Sequence, residues 1–171
     1  DNSSCADCEG TPNGSAVEDC AGVCGGGASN CPDWIYNPGD FELTAWIVSG
    51  LVTYDDVQLG DAGDQLAAFD DDGNVRGTAF QSTPDFGPYA GTALWEMTIG
   101  GNTCDPMDVD IDGDCSDDIV SFKYYDASAD EVLNVSGSYT FSANDQLGDL
   151  FDPYALVITS TVDLTIELIQ G

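Results

Sequence analysis

The chain has 171 residues, with 32 acidic side chains, two basic ones, no histidine and a formal net charge of −30. That balance excludes an electrostatic grip on nucleic acid phosphates or on an anionic membrane surface. The absence of histidine excludes Ser-His-Asp and Cys-His catalysis and histidine-ligated zinc.

High net charge alone would fit a disordered chain, but 42 % of the residues are hydrophobic and 10 % aromatic. The sequence therefore predicts a folding chain with an acidic skin, whose self-repulsion is offset by divalent cations or salt. Seven cysteines in a chain of this size point to an oxidising compartment. No apolar run is long enough to span a bilayer, so membrane insertion is not expected. The first residue is Asp, which reads as a processed or excised product. The expected location is extracellular, in solution or on a cell surface.

Residues 1–33 are the first predicted unit. They hold Cys5, Cys8, Cys20, Cys24 and Cys31 among Gly, Asn and Ser, with almost no apolar side chains. Such a segment cannot bury a core, so covalent links or metal must hold its shape. It contains an echo: DCEG at Asp7 to Gly10 returns as DCAG at Asp19 to Gly22, and NSSCAD at Asn2 to Asp7 returns as ASNCPD at Ala28 to Asp33. Cys5-x2-Cys8 and Cys20-x3-Cys24 have zinc-ribbon spacing, but the compartment favours disulfides. The stretch DCAGVCGG resembles the short D-C-x-G-x-C-G-G repeats found in tandem in large secreted and surface proteins of bacteria, many of them marine. That resemblance implies a stalk or spacer next to β-domains.

Residues 34–171 are the second predicted unit, an all-β antiparallel sandwich of about eight or nine strands. Period-two runs separated by turn residues carry this expectation. Phe41 to Val48 is one run, Leu51 to Tyr54 a second short strand, and Gln65 to Phe69 and Val75 to Phe80 flank a turn at Asp71 to Asn74. Ala93 to Ile99, Ile119 to Tyr125, Ser138 to Phe141, Tyr154 to Thr159 and Val162 to Ile169 complete the set. The region also resembles a β-module of the same surface proteins, through Trp34 to Pro38, through Asp64, Leu66, Ala68, Phe69, Arg76 and Gly77, and through Phe122, Lys123 and Tyr125 to Ser128.

Arg76 and Lys123 are the two cations. Arg76 is expected to fork onto Asp64 or Asp70 as a structural ion pair, with a ligand-binding role as the alternative. Asp70, Asp72 and Asn74 form a weak cation candidate for which a plain hairpin turn is the simpler account. Trp34, Trp46 and Trp95 could stack on a glycan, or else serve core and interface.

The sharpest motif is DVDIDGDCSDD, Asp108 to Asp118. Asp108, Asp110, Asp112 and Asp114 alternate around Gly113, and Asp117 and Asp118 follow. Carboxylates at every second place, with a glycine for the tight turn, can curl around a hard cation. The stretch resembles the first half of an EF-hand loop. Its twelfth place is Ile119 and not Glu, so it is closer to the looser calcium loops of dockerins and thrombospondin type 3 repeats. Ca2+ is the expected cofactor, with an acidic surface turn as the plain alternative. Cys104 and Cys115 bracket the loop and are expected to pair, which leaves an odd cysteine in the head. That cysteine is free, bonded to Cys104 or Cys115 instead, or linked to a neighbouring chain.

The last run, VDLTIELIQG, either closes its own sheet or completes a neighbour's. No feature singles out a catalytic pair, and an enzyme is not expected. The sequence favours a structural or adhesive unit of a surface stalk or filament that self-associates, with a carbohydrate-binding module as the alternative.

Overall fold

The computed structural model describes residues 6–102 and 119–160. The Asp108 to Asp118 motif, with Cys5, Cys104, Cys115 and the run from Val162 to Ile169, lies outside the described residues.

Ten strands form among the described residues: β1 (Leu43–Tyr54), β2 (Val57–Gln58), β3 (Gln65–Phe69), β4 (Val75–Ser82), β5 (Leu94–Gly101), β6 (Ile119–Asp126), β7 (Glu131–Asn134), β8 (Tyr139–Thr140), β9 (Gln146–Leu147) and β10 (Tyr154–Ile158). Their helical content is a single 3-10 turn at Pro38–Asp40, capped by the Asn37 side chain. The protein is all-β, as its period-two patterning predicts.

The sheet runs β10-β1-β5-β4-β3-β6-β7, and β2, β8 and β9 pair beside that path. Pairing is antiparallel except where β1 meets β9 and β10, which run parallel to it. The expected sandwich is better described as one curled sheet, a half-barrel, because hydrogen bonds carry it around the bend. Strand β4 makes the turn. Its first half pairs with β3 at Val75, Gly77 and Thr78, and its second half pairs with β5 from Ala79 to Ser82. Gly77 sits at this change of partner, where a Cβ would lie 2.5 Å from the Thr98 carbonyl oxygen. Only a residue without one lets the two strands approach so closely. Beyond β7, the Ser136 N–H donates to the Val157 carbonyl at 2.7 Å, so the curl brings the far end of the sheet back to β10.

Strand β1 explains an apparent break in the sequence. Ala45 and Ile47 are buried before Gly50, and Val52 is buried after it, with an irregular register against β5 between Ile47 and Gly50. A bulge inserts one residue and switches which parity faces the core. What reads as two strands is one strand that changes face at Val48–Ser49. The concave side is filled by Ile47, Val52, Leu66, Trp95, Met97, Ile99, Val120, Phe122, Tyr124 and Leu156. Each such side chain contributes about 1.5–3 kcal/mol through removal from water.

Candidate functional site

The head, described from Ala6 onward, is built from two copies of one turn, each organised around an aspartate. Asp7 accepts the backbone N–H groups of Glu9, Thr11 and Ala16 at 3.2, 2.8 and 3.1 Å. Twelve residues on, Asp19 accepts those of Ala21, Val23 and Ala28 at 3.0, 2.9 and 3.0 Å. The glycine seven residues after each aspartate leaves the room. A Cβ at Gly14 would lie 1.9 Å from Asp7 Oδ2, and one at Gly26 would lie 2.0 Å from Asp19 Oδ2. The D-C-x-G echo is therefore a carboxylate cage, in which side-chain oxygens satisfy the amides that a core-less turn would otherwise leave to water. Two disulfides, Cys8–Cys24 and Cys20–Cys31, tie the turns together. The first joins one repeat to the next.

Two predictions follow from the cage. Gly26→Ala is expected to evict the Asp19 carboxylate and raise protease cleavage within residues 19–31 by about tenfold, as measured by limited proteolysis, with the sheet left intact. Acid acts on the same feature. The backbone bonds from Thr11 and Val23 are the largest influences on Asp7 and Asp19, and they hold both carboxyls below the ordinary carboxylate range. A depressed folded value stabilises above the unfolded pKa, about 3.9, and that contribution is lost as pH falls through the depressed value. Head amides should keep their exchange protection down to about pH 4 and lose it below.

The head is fastened to the sheet at Asp130, in the turn between β6 and β7. Its two carboxylate oxygens accept the N–H and Oγ–H of Ser29, the N–H and Nδ2–H of Asn30, and the Tyr125 hydroxyl, over 2.7–3.1 Å. Asp130 has a positive φ of 55°, a left-handed conformation open to Asp at low cost. The Tyr125 hydroxyl is the largest influence holding the Asp130 carboxyl far below the ordinary range. Burial, with that carboxylate beside it, pushes the Tyr125 phenol up to about 12. The Cys31 sulfur lies 3.4 Å from the same hydroxyl. Gly63 makes a second point of contact, where a Cβ would lie 2.8 Å from both Ala21 Cβ and Val23 Cγ2. Sequence reading missed this junction. The repeat offered a signal for Asp7 and Asp19, but Asp130 joins residues about a hundred positions away, and no local pattern marks it.

Arg76 is not paired with Asp64 or Asp70 among the described residues. It is 7 % exposed, its Nε donates to the Gly100 carbonyl at 2.6 Å, and its guanidinium lies 5.3 Å from the Phe41 ring centroid and 5.7 Å from that of Phe141. The expected acids are engaged elsewhere. Asp64 accepts the Tyr124 hydroxyl and the N–H groups of Ala127 and Asp61. Burial raises its carboxyl above the ordinary value against the pull of those bonds. Asp70 accepts both the N–H and the Nδ2–H of Asn74, so the Asp70, Asp72 and Asn74 trio is a hairpin turn. Lys123 rests over Phe69 at 4.8 Å, and Trp34 meets the Phe69 ring edge-on with centroids 5.4 Å apart. Both cations thus sit against aromatic rings, where a ring face offers negative potential at little desolvation cost.

The three tryptophans do not form a stacking platform. Trp95 is buried in the core, Trp34 packs on Phe69, and Trp46 stands half-buried on the outer side of β1. Among the described residues no group of three or more Asp, Glu, Cys or His side chains could hold a metal ion. The calcium motif itself, Asp108, Asp110, Asp112, Asp114, Asp117 and Asp118, lies outside the described residues. No helix among the described residues is long and apolar enough to cross a membrane. Comparison with known protein families, with curated proteins and with solved structures finds no match for this chain.

Proposed function

We propose that this chain is an extracellular structural or adhesive unit, a disulfide- and calcium-stabilised β-domain of a surface stalk or filament that self-associates. The observation that carries this reading is the fastening of a core-less, caged and cross-linked repeat onto a curled sheet through Asp130. Such a coupling transmits force between a spacer and a domain without a flexible joint. The net charge of −30 supports a role for divalent cations, since copies with this much like charge need bridging before they associate. The alternating aspartates from Asp108 to Asp118 supply a calcium-loop sequence for it.

Calcium in about hundredfold excess over its dissociation constant is expected to stabilise the folded chain by about 2.7 kcal/mol, read as a rise in melting temperature by calorimetry. Millimolar calcium should also drive assembly visible by electron microscopy and light scattering, and chelator should reverse it. A chain that stays monomeric at high calcium would rule out the filament, and a flat calcium titration would rule out the cofactor. Charge-neutralising Asp→Asn changes at Asp110 and Asp112 together should abolish the thermal shift.

A further inference from the structure

We propose that the Cys20–Cys31 disulfide is a redox-sensitive clasp that sets whether the head is docked on the sheet. The proposal rests on the junction geometry and does not depend on the structural reading above. Ser29 and Asn30 supply four of the five donors on Asp130, and they immediately precede Cys31. The disulfide pins Cys31 to Cys20, which directly follows the caged Asp19. The Cys31 N–H also donates to the Cys20 sulfur at 3.3 Å. On the other side the Cys31 sulfur touches the Tyr125 hydroxyl, the fifth donor to Asp130, at 3.4 Å. One sulfur–sulfur bond therefore links the cage of the second repeat to the hook that grips the sheet. It closes a short loop whose freedom, once released, opposes docking.

Cys20 is exposed, so a dithiol can reach it. A thiolate of the dithiol bonds to the Cys20 sulfur, and the Cys20–Cys31 bond breaks with Cys31 leaving as thiolate. The second thiol of the reductant then displaces Cys20 and closes a cyclic disulfide. Two electrons pass from the dithiol to the cysteine pair, and the dithiol's two protons end on the two cysteine sulfurs. Ser29 and Asn30 then lose their covalent link to the caged turn and keep the Ala28 amide on Asp19 and their bonds to Asp130, and the hook leaves the sheet. Cys8–Cys24 joins the two repeats without touching the hook, so its loss leaves the head docked.

The test is hydrogen exchange read by mass spectrometry on the full chain. In a Cys20→Ser, Cys31→Ser double variant the Ser29 and Asn30 amides should exchange about tenfold faster or more, with β6 amides protected as before. A Cys8→Ser, Cys24→Ser variant should leave those two amides slow. Asp130→Ala should release them with both disulfides intact, and dithiothreitol on the unaltered chain should reproduce the double variant. Slow Ser29 and Asn30 amides in the Cys20, Cys31 variant would overturn the clasp. So would loss of β6 protection alongside them, because the head would then not be a separately released unit.

Discussion

Trp95→Ala is expected to remove about 3–5 kcal/mol of stability, a large share of the roughly 5–15 kcal/mol that a domain possesses. The side chain is 1 % exposed near the start of β5, opposite Gly50 on β1 and Gln81 on β4. Its ring meets that of Tyr124 edge-on, with centroids 5.7 Å apart and planes at 84°. It therefore bridges the two halves of the curl, since β5 lies on one side of the bend and β6 on the other. Truncation leaves a cavity lined by strands whose positions are fixed by hydrogen bonds, so collapse recovers little. Gly50 offers no side chain to fill it. Trp95→Phe is the informative control. The indole Nε1 is buried with no hydrogen-bond partner among the described residues, so losing it removes a desolvated donor along with ring volume. The cost of that change should be about 1–2 kcal/mol. Urea unfolding followed by far-ultraviolet circular dichroism measures both. An alanine variant within about 1 kcal/mol of the parent would mean that Trp95 does not join the two halves of the curl.

How far the sequence shows this architecture depends on where the deciding contact lies. Strands β6 and β10 are legible because they alternate against one buried face, and β5 because it does so through its middle. Strands β3 and β4 are legible as short runs flanking the turn at Asp71 to Asn74, with β3 buried from Leu66 to Phe69. Strands β2 and β9 have two residues each, and β7 has the exposed, polar-ended run EVLN; their extended form is imposed by partners and not by their own pattern. The β1 bulge looks like a strand end because local alternation cannot tell a change of face from a turn. The curl was hidden for the same reason: Gly77 is ordinary in sequence, and its meaning lies in its distance from β5.

The functional residues divide in the same way. The repeated D-C-x-G was visible as an echo, and its spacing contains the cage glycine, yet only the geometry shows that Asp7 and Asp19 are amide acceptors. Of the seven candidate cysteines, four form disulfides within the head, as the compartment argument expects. Asp130 could not be singled out from 31 other acids, because nothing near it in the chain names its partners. For Arg76 the expected fork onto Asp64 or Asp70 is not what the described residues show: its Nε donates to the Gly100 carbonyl and its guanidinium lies against Phe41 and Phe141, contacts that no local pattern in the sequence marks.

That reassignment has a measurable consequence, the second large effect expected of a single substitution. Arg76→Ala should cost about 3 kcal/mol, combining one charge-assisted hydrogen bond with two ring contacts in a desolvated setting. The neighbouring glycines show how much of the local packing serves this side chain. A Cβ on Gly100 would overlap the Phe41 ring at 2.4 Å, and one on Gly101 would overlap Phe141 at 2.2 Å, so both glycines clear space for the rings that flank the guanidinium. Arg76→Met should recover part of the loss, because its unbranched stem still fills the slot between the rings. It leaves the Gly100 carbonyl without its Nε donor, so it should fall about 1–2 kcal/mol short of the parent. Salt separates this account from an ion pair. A pair with Asp64 or Asp70 weakens as the Debye length shrinks from about 10 Å to about 3 Å between 0.1 and 1 M salt. Ring stacking and a buried bond to a carbonyl do not. The cost of Arg76→Ala, measured by denaturant unfolding at both ends of that range, should change by less than about a third, and a cost that vanished at high salt would return Arg76 to the carboxylates.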